Sequence, residues 1–200
     1  MHERRFNPSL ADRLDSPERQ KFLPADEVID RLQLREGDVV ADIGAGTGYF
    51  TLPMAARVGR RGSVLAVDVS PEMLDRLRAR LEQAEVHNVQ SAKGEASATG
   101  LADRSCDVVF LANVWHEFDD HDAVLAEVRR LLRPEGRVAI LDWRPDVEPD
   151  HGPPPAHRIG AANAGKALEA AGFTVGPASN VGHYAWMLVG NRAQGRNPSR

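Results

Sequence analysis

The 200-residue chain is 42% hydrophobic and 27% charged, the proportions of an ordinary globular protein, and its formal charge of −4 argues against the basic face that a large nucleic-acid footprint needs. A chain of this size buries roughly 70% of its unfolded surface as one unit, which favours one domain and one site. With Cys106 as its single cysteine it has neither an intramolecular disulfide framework nor a cysteine-based zinc cluster.

No stretch approaches the roughly 20 apolar residues of a membrane-spanning helix. Met1-His2-Glu3-Arg4-Arg5 is basic, but Asn7, Pro8, Asp12 and Arg13 stand where a secretory signal needs an apolar run. The expected compartment is the cytoplasm.

Residues 1–36 hold two short helix candidates. Ser16 can cap the first, with Pro17 at its first position; the second runs over 25–34, with Val28, Ile29, Leu32 and Leu34 in one apolar stripe. This segment is expected to pack beside a sheet and lid the site. At 39–43 the pattern changes to a short apolar run, followed by a Gly-rich turn and a helical stretch at 49–58. The alternation recurs as a strand at 63–67 and a helix at 71–85, capped by Ser70 and lined by Met73, Leu74, Leu77 and Leu81.

Strands are predicted next at 89–92 and 107–111, then a helix at 122–132, a turn at Pro134-Glu135-Gly136 and a strand at 137–141. Repeated strand–helix units predict an α/β fold with a parallel sheet covered on both faces. Residues 144–160 are Pro-rich and read as a loop. A helix at 162–171, ended by Gly172, leads to a strand at 173–175 and a final hairpin at 183–189. The expected organisation is a single domain over 1–192 with a tail at 193–200.

The strongest motif is Asp42-Ile43-Gly44-Ala45-Gly46-Thr47-Gly48, set between a buried strand and a helix. Alternating glycines permit positive φ and let the backbone approach a ligand without a Cβ in the way. The helix N-terminus beyond them favours a negative group such as a carboxylate. Asp68 ends the second strand, where an acid can accept hydrogen bonds from both hydroxyls of a ribose. A dinucleotide fingerprint would need glycine at Tyr49 or at Thr51, so neither reading of G-x-G-x-x-G completes.

Residues 39–51, 64–74 and 107–118 resemble the first, second and fourth motifs of class I S-adenosylmethionine-dependent methyltransferases. Asp142 and the Leu132-Arg133-Pro134-Glu135-Gly136 turn make the chain most similar to the UbiE/type-11 group. The resemblance covers roughly residues 26 to 190 as a pattern of elements. It implies a Rossmann-like three-layer sandwich with a mostly parallel seven-stranded sheet and an antiparallel final strand. It further implies that the backbone of Gly44, Ala45, Gly46 and Gly48 holds the methionine end, with Asp42 positioning it, and that Asp68 binds the ribose diol. Val69 and Met73 would pack on adenine, Glu95 and Ala96 would read its edge, and Asn113 would face the sulfonium. Glu95 departs mildly from the family, which more often has Asp there.

The acceptor half is less constrained. Asn113-Val114-Trp115-His116 is not the Pro-Pro-aromatic turn of enzymes that methylate amino groups of adenine or glutamine, and Cys106 precedes its strand, away from any bound base. One cysteine also excludes arsenite methylation by a multi-cysteine route. His116 is a candidate general base for a hydroxyl, with packing as the alternative. Trp115 is a candidate aromatic wall for the acceptor, with core packing as the alternative. His157 and Arg158 are candidates to reach over the site toward an anionic acceptor, with a solvated loop as the alternative. The leading function is methyl transfer to a small molecule, with a nucleic-acid acceptor disfavoured and no metal expected. A non-catalytic S-adenosylmethionine-binding module and a nicotinamide-dependent oxidoreductase stay open, as does the oligomeric state, a homodimer included.

Overall fold

The structure, a computed structural model, describes residues 11, 14, 16–148 and 150–192; the expected tail at 193–200 lies outside them. Two short helices, α1 (Arg19–Phe22) and α2 (Ala25–Leu32), precede the sheet. α2 buries Ala25, Val28, Ile29 and Leu32 along the predicted stripe and closes at Gln33, whose φ of 50° is left-handed. The Ser16 hydroxyl accepts from the Glu18 N–H at 3.2 Å, so the predicted cap serves the turn leading into α1.

The sheet is built from β1 (Val39–Ile43), β2 (Ser63–Asp68), β3 (Val89–Lys93), β4 (Cys106–Ala112), β5 (Leu132–Trp143), β6 (Phe173–Val175), β7 (Ser179–Val181) and β8 (Ala185–Arg192). Helices α3 (Thr51–Val58), α4 (Pro71–Gln83), α5 (His121–Leu131) and α6 (Ala161–Ala170) connect them. The order is β3-β2-β1-β4-β5-β8-β6, with β7 also on β8. β1 to β5 pair in parallel, and β8 enters antiparallel beside β5. β6 and β7 share the outer edge of β8, pairing with opposite ends of it, so the sheet is seven strands wide although it contains eight.

Alternation along the strands divides the core in two. Val40, Val108, Phe110, Ala139 and Leu141 pack with α2 and α3, while Ala41, Ile43, Val109, Leu111, Val138 and Ile140 pack with α5 and α6. Each fully buried aliphatic side chain of this kind contributes about 1.5–3 kcal/mol, and Leu74, Leu77 and Leu81 extend the core beneath α4.

Most ends shift by one or two residues from expectation, β7 (Ser179–Val181) was not expected, and two boundaries differ more. β5 begins at Leu132, which pairs with Cys106, and the next pair is Arg137 with Val108. The expected Pro134-Glu135-Gly136 turn is therefore taken up as a bulge within a strand. In the hairpin, β8 starts at Ala185, so His183 and Tyr184 lie at its tip rather than in a strand. Among the described residues no helix is long and apolar enough to cross a membrane.

Strand order reverses between β1 and β4, and in open α/β sheets a crevice forms there at the C-terminal strand ends. The glycine loop, Asp68 and Asn113 all lie at this edge. Cys106 starts β4 at the opposite edge.

Candidate functional site

The glycine loop leaves β1 with Gly44, Gly46 and Gly48 all at positive φ (76°, 54° and 90°). At Gly44 an added Cβ would stand 2.5 Å from Val114 Cγ1, and at Gly48 it would run into Leu77 Cδ1. Side chains are thus excluded on steric grounds as well as conformational ones. The loop is tied to the end of β2: Gly44 N–H and Ala45 N–H donate to Val67 O at 2.7 and 3.1 Å, and Gly46 N–H donates to Asp68 Oδ2 at 2.8 Å. Leu14, from the N-terminal segment, places Cδ1 3.7 Å from the Cβ position of Gly46. Arg19 donates to Leu14 O and stacks 4.1 Å over the Tyr49 ring.

Asp68 accepts from Ser70 N–H through Oδ1 at 2.9 Å and from Gly46 N–H through Oδ2. Each oxygen retains a second lone pair, so a fixed carboxylate can still receive two hydroxyls. Burial pushes its carboxyl above the ordinary range, opposed by the N–H groups of Ser70, Gly46 and Val69. Asp42 is 2% exposed. Burial raises its carboxyl from 3.8 to about 7; the Thr51 hydroxyl, donating at 2.5 Å, lowers it, the Asp68 charge adds to the rise, and Arg19 opposes it.

Asn113, just past β4, adopts a left-handed φ of 57° and donates its N–H to Leu141 O at 2.7 Å. Its side-chain Oδ1 is buried with no hydrogen-bond partner. A buried amide oxygen left so costs about 1–3 kcal/mol, which a ligand donor or positive charge would relieve. This orphaned acceptor, the alternating glycines of the loop and the spare lone pairs of Asp68 together fit S-adenosylmethionine.

Of the two residues expected on adenine, Val69 is half-buried and Met73 is buried, so Val69 has surface to offer a base. Glu95 is exposed and Ala96 half-buried, in a loop that Gly94 N–H ties to Asp68 O at 3.1 Å. That loop has an anchor sequence reading missed. Glu127 of α5, 7% exposed, accepts from Thr99 N–H and Thr99 Oγ1–H at 2.8 and 2.5 Å and is paired with Arg130. A buried Glu on an otherwise apolar helix face was the available signal.

On the acceptor side the expected residues separate. His116, in a 3₁₀ turn (Trp115–Glu117), is buried, and its Nδ1 lies 2.8 Å from Asp142 Oδ1. Trp115 is 1% exposed and packs against Phe118 and His121 in the α5–α6 core, so of its two readings the core-packing one holds and the aromatic-wall candidate is corrected: the turn directs it inward. Arg158 is corrected as well. Its Nε, Nη1 and Nη2 donate to the carbonyls of Pro153, Arg144 and His151 at 3.0, 2.9 and 2.6 Å, so the guanidinium clamps the Pro-rich loop rather than waiting for an anion. His157, in the turn Pro155–His157, is half-buried.

Phe22 of α1 stacks on His151 of the loop at 4.0 Å between ring centroids, with Trp143 and Tyr184 at 6.2 and 6.3 Å. These rings join the N-terminal segment, the Pro-rich loop and the hairpin tip at the end of β5.

Comparison with known proteins agrees with this fold. The family model for the methyltransferase domain of type 11 matches residues 41–140, half of the chain. The chain is 32% identical over 123 residues to a demethylmenaquinone methyltransferase of Lactobacillus johnsonii, covering 60% of this chain and 49% of that protein. It is 36% identical over 106 residues to an arsenite methyltransferase of Halobacterium salinarum, covering 53% of this chain and 27% of that one. The chain thus spans about half the length, or less, of these curated relatives. In three dimensions it is similar to a crystal structure of an S-adenosylmethionine-dependent methyltransferase from Aquifex aeolicus, with a TM-score of 0.89, 32% identity, and coverage of 94% of this chain and 100% of that one. The chain belongs to the type-11 methyltransferase-domain family of class I methyltransferases, whose cofactor is S-adenosylmethionine.

Proposed function

We propose that this protein transfers the methyl group of S-adenosylmethionine to a small-molecule acceptor. The observation that carries the reading is the conjunction, at one sheet edge, of the glycine loop 44–48, the Asp68 carboxylate and the unpartnered Asn113 Oδ1. When bound, the cofactor supplies an electrophilic methyl group on a sulfonium.

The residues of the chain bind and orient. Asp68 receives the ribose hydroxyls, the loop backbone and Asp42 hold the methionine end, and Val69, Glu95 and Ala96 border the adenine. Asn113 Oδ1 places a partial negative charge beside the sulfonium. In-line displacement depends on alignment inside a site cleared of water, and the Phe22–His151 stack with Trp143 and Tyr184 supplies an apolar roof. His116 serves as general base. A small-molecule acceptor is supported by the chain's negative charge and by relatives named for demethylmenaquinone and arsenite.

The test is transfer of tritium from methyl-labelled S-adenosylmethionine into a fractionated cell extract. Label should enter the small-molecule fraction in proportion to added protein. Label found only in macromolecules overturns the acceptor class, and loss of transfer to every fraction with cofactor binding retained favours a non-catalytic binding module.

A further inference from the structure

Asp142 is fully buried at the C-terminal end of β5, held by two backbone donors and faced by the His116 imidazole. The His116 N–H reaches Oδ2 at 2.9 Å, the Trp143 N–H reaches Oδ1 at 2.7 Å, and His116 Nδ1 sits 2.8 Å from Oδ1 and 3.1 Å from Oδ2. The two donors are backbone groups on different elements, so the carboxylate is fixed against rotation. An ionised carboxylate only accepts, so the imidazole nitrogen facing it carries the proton. Nε2 is then the basic nitrogen, and Glu117 Oε1 stands 4.0 Å from it, outside hydrogen-bond range.

We propose that Asp142 is the positioning residue of a proton-accepting pair, holding His116 in the Nδ1–H form so that Nε2 takes the proton of an acceptor hydroxyl as that oxygen is methylated. The inference rests on the function proposed above and adds to it the class of acceptor, a phenol, enol or alcohol. In the step, the O–H proton passes to Nε2. The oxygen forms the new O–C bond while the C–S bond breaks with its electrons left on sulfur, and the imidazolium later releases its proton to water. A base is useful only to a nucleophile that must lose a proton to react, which a hydroxyl must and a ready thiolate need not.

The surroundings set the pH at which the pair works. Burial alone lowers the His116 pKa, but the hydrogen bond and charge of Asp142, with the charge of Glu117, outweigh it, Arg158 opposes them, and the net shift is upward from 6.5. On the α5 side, His121 stacks on Trp115 and bonds Trp115 O at 3.0 Å. Since the base must be neutral to act, hydroxyl methylation is expected to be lost as pH falls through this raised value.

The test combines a tautomer measurement with a rate. Side-chain ¹⁵N NMR of the S-adenosylhomocysteine-loaded protein should show neutral His116 protonated on Nδ1, with a pKa above 6.5. Asp142→Asn should lower that pKa and move the proton toward Nε2. Against a panel of simple phenols, alcohols, amines and thiols with tritiated S-adenosylmethionine, label should enter hydroxyl acceptors. Asp142→Asn should lower that kcat by about 100-fold, with the cofactor Kd unchanged. A variant with native circular dichroism and native Kd that methylates hydroxyls within about threefold of the wild-type rate overturns the proposal.

Should the substitution cost the fold, the wild-type protein decides. Dominant Nε2–H tautomer, hydroxyl methylation flat across the His116 titration, or label entering only amines or thiols overturns it. Failure to bind S-adenosylmethionine would instead overturn the function on which the inference rests.

Discussion

Replacing Asp42 with Asn removes a carboxyl that β1 carries into the core at 2% exposure, where its pKa rises from 3.8 to about 7. A folded-state value above the unfolded one means the folded protein binds the proton more tightly, so this group costs nothing below pH 3.8 and costs progressively more as pH rises to about 7. At 1.36 kcal/mol per unit the full cost at pH 8 is about 4 kcal/mol, of which less than half, about 1.7 kcal/mol, is present at pH 5. Asn keeps an oxygen for the Thr51 hydroxyl, so the substitution isolates the charge. In urea denaturation of the cofactor-free protein, Asp42→Asn should therefore be more stable than wild type by a margin that widens by about 2–3 kcal/mol from pH 5 to pH 8. A cationic ligand beside Asp42 favours its ionised form, so wild-type affinity for S-adenosylmethionine should rise about tenfold from pH 6 to pH 8 and the variant's should not. An equal stability margin at both pH values would refute the burial argument, and a pH-independent wild-type affinity would remove Asp42 from the methionine end.

Other parts of the site give independent expectations. Gly48→Ala, at φ 90° and against Leu77, should destabilise by about 1–3 kcal/mol and lower Tm by about 2–4 °C for each kcal/mol, read by calorimetry. Glu127→Ala leaves Thr99 N–H and Oγ1–H without their acceptor and should cost about 1–3 kcal/mol near neutrality. Arg130, followed by the Thr99 groups and against the cost of burial, holds the Glu127 carboxyl down at about 2, so the difference from wild type should close as pH falls from 4.5 through that value in acid titrations followed by circular dichroism. Arg158→Met frees three loop carbonyls and should speed proteolytic cleavage within 144–158 while leaving cofactor affinity unchanged.

The cofactor half was legible because it is local in sequence. The loop 44–48 and the strand-end acid Asp68 are signals that a few adjacent residues carry, and their contact through Gly46 N–H follows from the parallel pairing of β1 and β2. Strand alternation and helix stripes gave the order of elements for the same reason. Contacts that close across the fold left no local trace. His116 and Asp142 stand 26 residues apart, and only the pairing of β4 with β5 brings them together. Trp115 could be read as wall or core, with core ahead, until the 3₁₀ turn fixed its direction, and Arg158 looked free because the carbonyls it binds belong to a loop whose path no pattern encodes. The bulge in β5 was hidden behind ordinary turn residues, Pro134-Glu135-Gly136.

The placement of the cofactor on the glycine loop and Asp68 is tested most directly by isothermal titration of wild-type protein and Asp68→Ala with S-adenosylmethionine and S-adenosylhomocysteine. Two hydrogen bonds to a charged acceptor, each worth about 1.5–3 kcal/mol, predict micromolar binding of both ligands by wild type and a loss of about 100-fold or more in the variant. Equal affinity in the two proteins, with the variant folded, would contradict the placement of the ribose on Asp68 and with it the site built around the loop.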